Sequence, residues 1–157
     1  MVSWGKITLA GIVVAIVQYL ISNILTVVSG VSSLYAETVS LWKPMTGWWN
    51  YDIFVLNLIA GLLLVLVYTV VSPGLSYTGW KKGAWFGYLA WIAVGFSGMG
   101  MTYLTMNVPD GIVAVWALTG LIGYTLAGAS IPLVLGELKH VHHVEHERHA
   151  GRRRRRR

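Results

Sequence analysis

Four stretches of this chain, 7–28, 53–71, 83–105 and 111–135, contain no Asp, Glu, Lys, Arg or His. Nothing else in the sequence constrains the fold as strongly. Each runs for about 19 to 25 residues, and a helix rising 1.5 Å per residue needs about 20 to cross a hydrocarbon core about 30 Å thick. Inside lipid the backbone has no water to bond with, so a segment of this kind closes its own hydrogen bonds as a helix. The expected fold class is all-α: a polytopic membrane protein built as a four-transmembrane-helix bundle. Residues 1–136 would form the membrane domain, and 137–157 a His/Arg-rich tail.

Composition agrees with this reading. Charged residues are 11% of the 157 and hydrophobic ones 55%, against roughly 25% charged in a soluble domain, which excludes a soluble fold. The formal charge of +6 comes from one place, the terminal run Arg152, Arg153, Arg154, Arg155, Arg156 and Arg157. Without that run the basic and acidic residues cancel. The chain has no cysteine, which removes disulfides, iron–sulfur clusters, thiolate zinc sites and cysteine nucleophiles together.

Orientation follows from the placement of Lys and Arg. Lys6, Lys81, Lys82, Lys139, Arg148 and the arginine run fall on one side of the four stretches, and Lys43 alone falls on the other, beside Glu37, Asp52 and Asp110. The positive-inside rule then gives a multi-pass protein of the cell membrane with both termini cytoplasmic. The first stretch is expected to persist as a span, because its apolar run is longer than the 7–15 residues usual in a cleaved signal peptide. Trp42, Trp48, Trp49 and Tyr51 at one side, with Tyr77, Trp80 and Trp85 at the other, read as interfacial aromatic belts. An aromatic ligand cage at Trp48, Trp49 and Tyr51 is the alternative.

Between the first two stretches, Val31, Leu34, Tyr35, Leu41 and Trp42 fall near helical spacing. The pattern predicts a short amphipathic helix on the outer surface, ended by Pro44 and Gly47. Each long stretch also carries a stripe of small or weakly polar residues. The stripes are Gly11, Ala15, Gln18, Ser22, Thr26 and Ser29; Asn57, Gly61, Leu64, Tyr68 and Ser72; Gly87, Trp91, Gly95, Gly98, Thr102 and Thr105; and Trp116, Gly120, Gly123, Ala127 and Ser130. Lipid is as apolar as leucine, so membrane helices associate by close backbone approach and hydrogen bonding, and these stripes are the expected seams. Gly83-x-x-x-Gly87 and the Gly95, Gly98, Gly100 cluster are also suited to a homo-oligomer or a membrane-protein partner.

No span carries an ionisable side chain of the kind that builds proton relays, haem ligation or intramembrane metal hydrolysis. A non-enzymatic protein without a cofactor is expected. The polar groups inside the spans are the amides Gln18, Asn23 and Asn57 and several hydroxyls, and pairing of Gln18 or Asn23 with Asn57 across the first hairpin would satisfy both partners. If a small neutral solute or a lipid binds between the helices, Gln18, Asn23, Asn57, Trp48 and Trp49 are its expected contacts. In the tail, His142, His146 and His149 share a face if the segment is helical, a spacing open to a metal ion. The six arginines fit anionic headgroups at the cytoplasmic face better than nucleic acid, since no aromatic-interleaved fold accompanies the charge.

Leu34-Tyr35-Ala36, Leu41-Trp42-Lys43-Pro44-Met45, Trp48-Trp49-Asn50, Asn57-Leu58-x-x-Gly61-Leu62, Trp80-Lys81-Lys82-Gly83-Ala84-x-x-Gly87 and Tyr103-Leu104-Thr105-Met106 occur in this order. On these motifs the chain, over residues 7 to 136, resembles an uncharacterised family of small four-span bacterial integral membrane proteins. The resemblance implies the fold and no activity. The functional expectation is a structural or accessory component that associates through its glycine-rich helix faces. Solute or lipid binding between the helices, and metal binding by the tail, are the alternatives.

Overall fold

The computed structural model describes residues 3–42 and 47–136, without the side chains of Trp49 and Asn50. The described chain is all helical. In order it forms α1 (Trp4–Val28), α2 (Ser32–Glu37), a 3-10 turn (Val39–Leu41), α3 (Trp49–Val71) with a 3-10 extension (Ser72–Gly74), and α4 (Gly79–Ala90). A π-turn (Trp91–Phe96), α5 (Ser97–Thr105) and α6 (Asp110–Leu135) complete it. Four helical segments are long and apolar enough to cross a membrane: Trp4–Val28, Tyr51–Gly74, Gly79–Thr105 and Asp110–Leu135. The third is α4, the π-turn and α5 taken together.

Each span begins before the uncharged stretch that marks it in the sequence, because the first helical turn carries the charges. Asp52 and Asp110 sit in the first turns of α3 and α6, where a carboxylate complements the positive end of the helix dipole. Ser3 caps α1, its hydroxyl accepting from the Lys6 N–H. At the other end of the chain Gly136 adopts φ 85°, a left-handed conformation that ends α6, and its N–H donates to the Pro132 carbonyl at 3.1 Å. The Lys6 ammonium donates to the freed Leu135 carbonyl at 3.4 Å, so the start of α1 and the end of α6 lie at the same end of the molecule. We call this the terminal end, and the opposite one the far end.

Laterally the helices follow the order α3, α1, α6, α4. α1 packs against α3 on one side and α6 on the other, and α4 packs against α6. Near the terminal end α3 and α4 also meet, through the edge-to-face rings of Tyr68 and Phe86 at 5.2 Å. All four spans therefore feed the core in this half. Its buried residues are Ala10, Val14, Val65, Tyr68, Phe86, Ala127, Ile131 and Leu135. A second, smaller core lies at the far end, where Val31, Val108 and Ile112 are buried under Leu34, Tyr35, Trp42 and Trp116.

The expected glycine seams form in the terminal half. A methyl group at Gly61 would stand 2.6 Å from the Gly11 carbonyl oxygen, and one at Gly11 would meet the Leu62 side chain, so α1 and α3 approach at backbone distance. Between α4 and α6, Gly83 lies against the Gly128 carbonyl and Pro132, and Gly87 against the Tyr124 carbonyl. The α6 side of this seam runs through Tyr124, Gly128 and Pro132, beside the expected Gly123, Ala127 and Ser130 stripe. Pro132 has no N–H to give its helix, and its ring fills the space that Gly83 leaves open.

In the far half the same stripes are not seams. Ser22, Ser29, Gly98 and Thr105 are exposed, and α5 contains no buried residue. The segment between the first two spans also differs from expectation. α2 ends at Glu37, because Thr38 leaves helical geometry (φ −111°, ψ 25°) and uses its hydroxyl twice: it donates to the Leu34 carbonyl at 2.7 Å and accepts from the Trp42 indole at 3.0 Å. The segment does not lie free on the surface. Trp42 stands edge-on to Tyr35 at 5.3 Å and to Trp116 at 5.9 Å, and the Trp116 indole donates to the Tyr35 hydroxyl. Trp42 therefore belongs to a cap docked on α6.

Candidate functional site

The unpaired polar groups of the spans lie on two sides of the bundle, Gln18 on α1 and Trp91 and Thr119 on the third and fourth spans. Register fixes the level. Ala15 meets Gly61 and Tyr19 meets Phe54 at 5.9 Å, which brackets Gln18 and Asn57 at one height on α1 and α3. On the other side of the bundle, Gly87 meets Tyr124 and Trp91 meets Gly120, so Trp91 and Thr119 share one height on the third and fourth spans.

The amides do not pair with one another. Asn57 donates to the Ile53 carbonyl at 2.9 Å, and Asn23, which is exposed, donates to the Tyr19 carbonyl at 2.7 Å. Each bonds one turn back along its own helix, a local solution that removes the need for a partner across the hairpin. Gln18 is half-buried and makes no hydrogen bond among the described residues. Of the three amides expected at a polar site, it is the one left available.

Two further atoms are both buried and unpaired: the Trp91 indole nitrogen and the Thr119 hydroxyl. A buried polar group without a partner costs about 1–3 kcal/mol in desolvation, so two at one level are notable. Trp91 is 8% exposed, and its indole lies across Gly120 and Gly95, where a side chain at either position would collide with it. The ring is held by the absence of Cβ atoms. Trp91 also opens the π-turn, a wide turn that recurs at functional positions in helices. With no ionisable group at this level, the arrangement supplies hydrogen bonds and no acid–base chemistry.

The aromatic groups divide. Trp48 is 74% exposed and meets Tyr51 edge-on at 6.2 Å, an outward placement suited to an interface and remote from the mid-depth amides. The Trp49 side chain lies outside the described residues. At the terminal end Tyr77, Trp80 and Trp85 are exposed, Tyr77 and Trp85 touch at 5.7 Å, and the Lys81 ammonium stands 5.9 Å from the Trp80 ring. His142, His146, His149 and Arg152 to Arg157 all lie outside the described residues. Among the described residues no three His, Cys, Asp or Glu come together as a metal site.

The sequence reading placed Trp91 on a helix face and missed its orphaned N–H, and it did not single out Thr119. The signal available was the run Gly95-Phe96-Ser97-Gly98-Met99-Gly100, since Gly and Ser clusters mark places where a helix departs from regularity. Compared with known protein families, curated proteins and solved structures, the chain matches none.

Proposed function

We propose that this multi-pass membrane protein is a non-enzymatic structural or accessory component of a bacterial cell membrane, with both termini cytoplasmic. It would act by packing against another membrane protein or a second copy of itself. The carrying observation is the unequal use of its glycines. Gly11, Gly61, Gly83, Gly87 and Gly128 are consumed by contacts inside the bundle, whereas Gly98 and Gly100 on α5 have no atom within 4 Å of the place a Cβ would take. Close backbone approach is what such a face offers in lipid. Orientation is argued from the lysines, and the arginine run adds anionic headgroups as a further contact at the cytoplasmic face.

Native mass spectrometry from lipid nanodiscs, with crosslinking in the source membrane, tests this. A defined oligomer or a co-purifying membrane protein is expected; a strictly monomeric species without a partner would overturn the reading.

A second reading, binding of a small neutral solute or a lipid between the helices, is favoured by the unpaired Gln18 amide, Trp91 indole and Thr119 hydroxyl. Trp91 fluorescence in a protein whose other seven tryptophans are replaced is the direct probe. A saturable shift with a hydrogen-bond-accepting ligand is expected, and no shift across neutral solutes and lipids would remove this reading.

A further inference from the structure

The terminal core takes one face from each span, and on three spans that face runs on beyond the core without cover. On α1, Val14 is buried in the core, and Gln18, Ile21 and Leu25 follow it at steps of four, three and four residues, which keeps them on one side of the helix. On α3, Tyr68 is buried against Phe86, and Leu64 and Asn57 lie on the same side one turn and three turns before it. Gln18, Ile21, Leu25 and Asn57 are only half-buried. On the third span Phe86 is buried, Ala90 one turn on is half-buried, and Ala93 and Val94 at the next turn are exposed.

Helix order explains the missing cover. α3 packs on α1, and no packed interface joins it to the third span, so beyond the Tyr68 and Phe86 rings the ring of four helices stays open on that side. What results is a cleft with a floor of Val14, Tyr68 and Phe86 and a mouth between two spans. In a membrane such a mouth faces hydrocarbon.

The chemistry of the cleft selects what enters it. Over 7–28, 53–71 and 83–105 the lining helices carry no ionisable side chain, so a charged headgroup finds no counter-charge there. Two amides share one height on its walls. Asn57 has already given its N–H to the Ile53 carbonyl, whereas Gln18 is unpaired, and an amide in hydrocarbon is stabilised by a partner. Gln18 also lies near the middle of the 25 residues of α1. The esters and headgroup of a phospholipid stay at the edge of the hydrocarbon, roughly 15 Å away, and do not reach it. The fitting partner is an oxygen carried within the apolar part of a lipid. A carbonyl suits best, since it accepts from the amide and brings no donor of its own to satisfy.

We propose that this cleft binds a neutral carbonyl-bearing lipid, which enters sideways between α3 and the third span, lays its chain on the Tyr68 and Phe86 floor and accepts a hydrogen bond from the Gln18 amide. The proposal rests on the second reading above and specifies it, naming the ligand class and placing it at Gln18 in preference to Trp91 and Thr119.

Infrared spectroscopy of an isotope-labelled symmetrical long-chain ketone, reconstituted with the full chain in nanodiscs, tests this. A hydrogen-bonded carbonyl absorbs at lower frequency than a free one, and a shifted band that saturates at one ketone per chain is expected. Gln18→Leu is expected to abolish that band and to weaken ketone binding about fivefold, the worth of one hydrogen bond in lipid. No saturable shifted band in the unaltered protein, or one that survives Gln18→Leu, would overturn the proposal. A band kept in Gln18→Leu and lost in Thr119→Val would overturn it as well, while leaving the second reading intact on the other side of the bundle; the Trp91 fluorescence experiment decides that reading separately.

Discussion

The terminal half and the far half of this bundle are built from the same kinds of residue and held by different means. In the terminal half, glycine on one helix lies against backbone on the next, and rings and branched side chains fill the remaining space. In the far half glycine and hydroxyl residues recur at similar spacing, yet Ser22, Ser29, Gly98 and Thr105 are exposed, and an aromatic cap packs on α6. Small residues are therefore a condition for helix association in lipid and do not by themselves cause it. A seam also needs a complementary surface at the same height, as Gly83 has in Pro132 and Gly87 in the Tyr124 carbonyl.

The strongest way to break the comparison is to make one substitution in both halves. Gly87→Ala puts a methyl group on the Tyr124 carbonyl, and the obstruction is backbone, which cannot rotate away. A loss of about 3 kcal/mol is expected, at the upper end of overpacking costs. Gly98→Ala meets nothing and replaces a poor helix former by the best one, so it should leave stability unchanged or raise it by up to about 1 kcal/mol. Steric-trapping or mixed-micelle unfolding measures both. Equal costs at the two positions would mean that the far half is packed after all.

Next in size is the cap. Tyr35→Phe removes the acceptor of the Trp116 indole and leaves the ring contacts in place. Polar contacts between membrane helices average below the value for water-soluble proteins, and the expected loss is about 1 kcal/mol. Hydrogen exchange should show that loss at 31–42 and at the start of α6, with the terminal half unchanged. A uniform loss across the chain would mean that the two halves unfold as one unit.

At mid-depth, where the halves join, the expected sign reverses. Thr119→Val keeps the shape of the side chain and deletes a buried hydroxyl that has no partner. Relieving an unsatisfied group is worth about 1 kcal/mol, so the variant should be the more stable one in the same unfolding measurement. Destabilisation of that size would show that the hydroxyl has a partner in the membrane, which is the behaviour the solute or lipid reading requires.

The sequence made the spans legible because the absence of charge over about 20 residues has one physical meaning in a chain this apolar. It also made the Gly11 and Gly61 seam legible, since small residues at helical spacing restrict where two helices approach. It could not separate Gly87 from Gly98. Both sit in the same pattern, and what divides them is whether α6 offers a surface opposite, a fact about tertiary register. The amides were misjudged for a related reason. Pairing Asn23 with Asn57 assumed that a polar group in lipid must look to another helix, whereas each finds a carbonyl one turn back on its own. Trp42 read as a belt residue from its neighbours in sequence, and only its contact with Trp116, on a distant span, makes it part of a core.

The smallest effect expected is at Lys6, whose ammonium ties the start of α1 to the Leu135 carbonyl at the end of α6. The contact places a cation at the negative end of a helix, a favourable arrangement, but Lys6 is exposed and salt and water screen it. Lys6→Met keeps the length of the side chain and should cost about 0.5 kcal/mol, less at high ionic strength. The same two helices already meet in the terminal core, where Ala10 and Val14 of α1 are buried with Ala127 and Ile131 of α6. That packing does not depend on charge. If Lys6→Met approached the cost of Gly87→Ala, the terminal half would owe its order to a polar clasp at its edge, and the contrast between the two halves would be one of electrostatics in place of backbone approach.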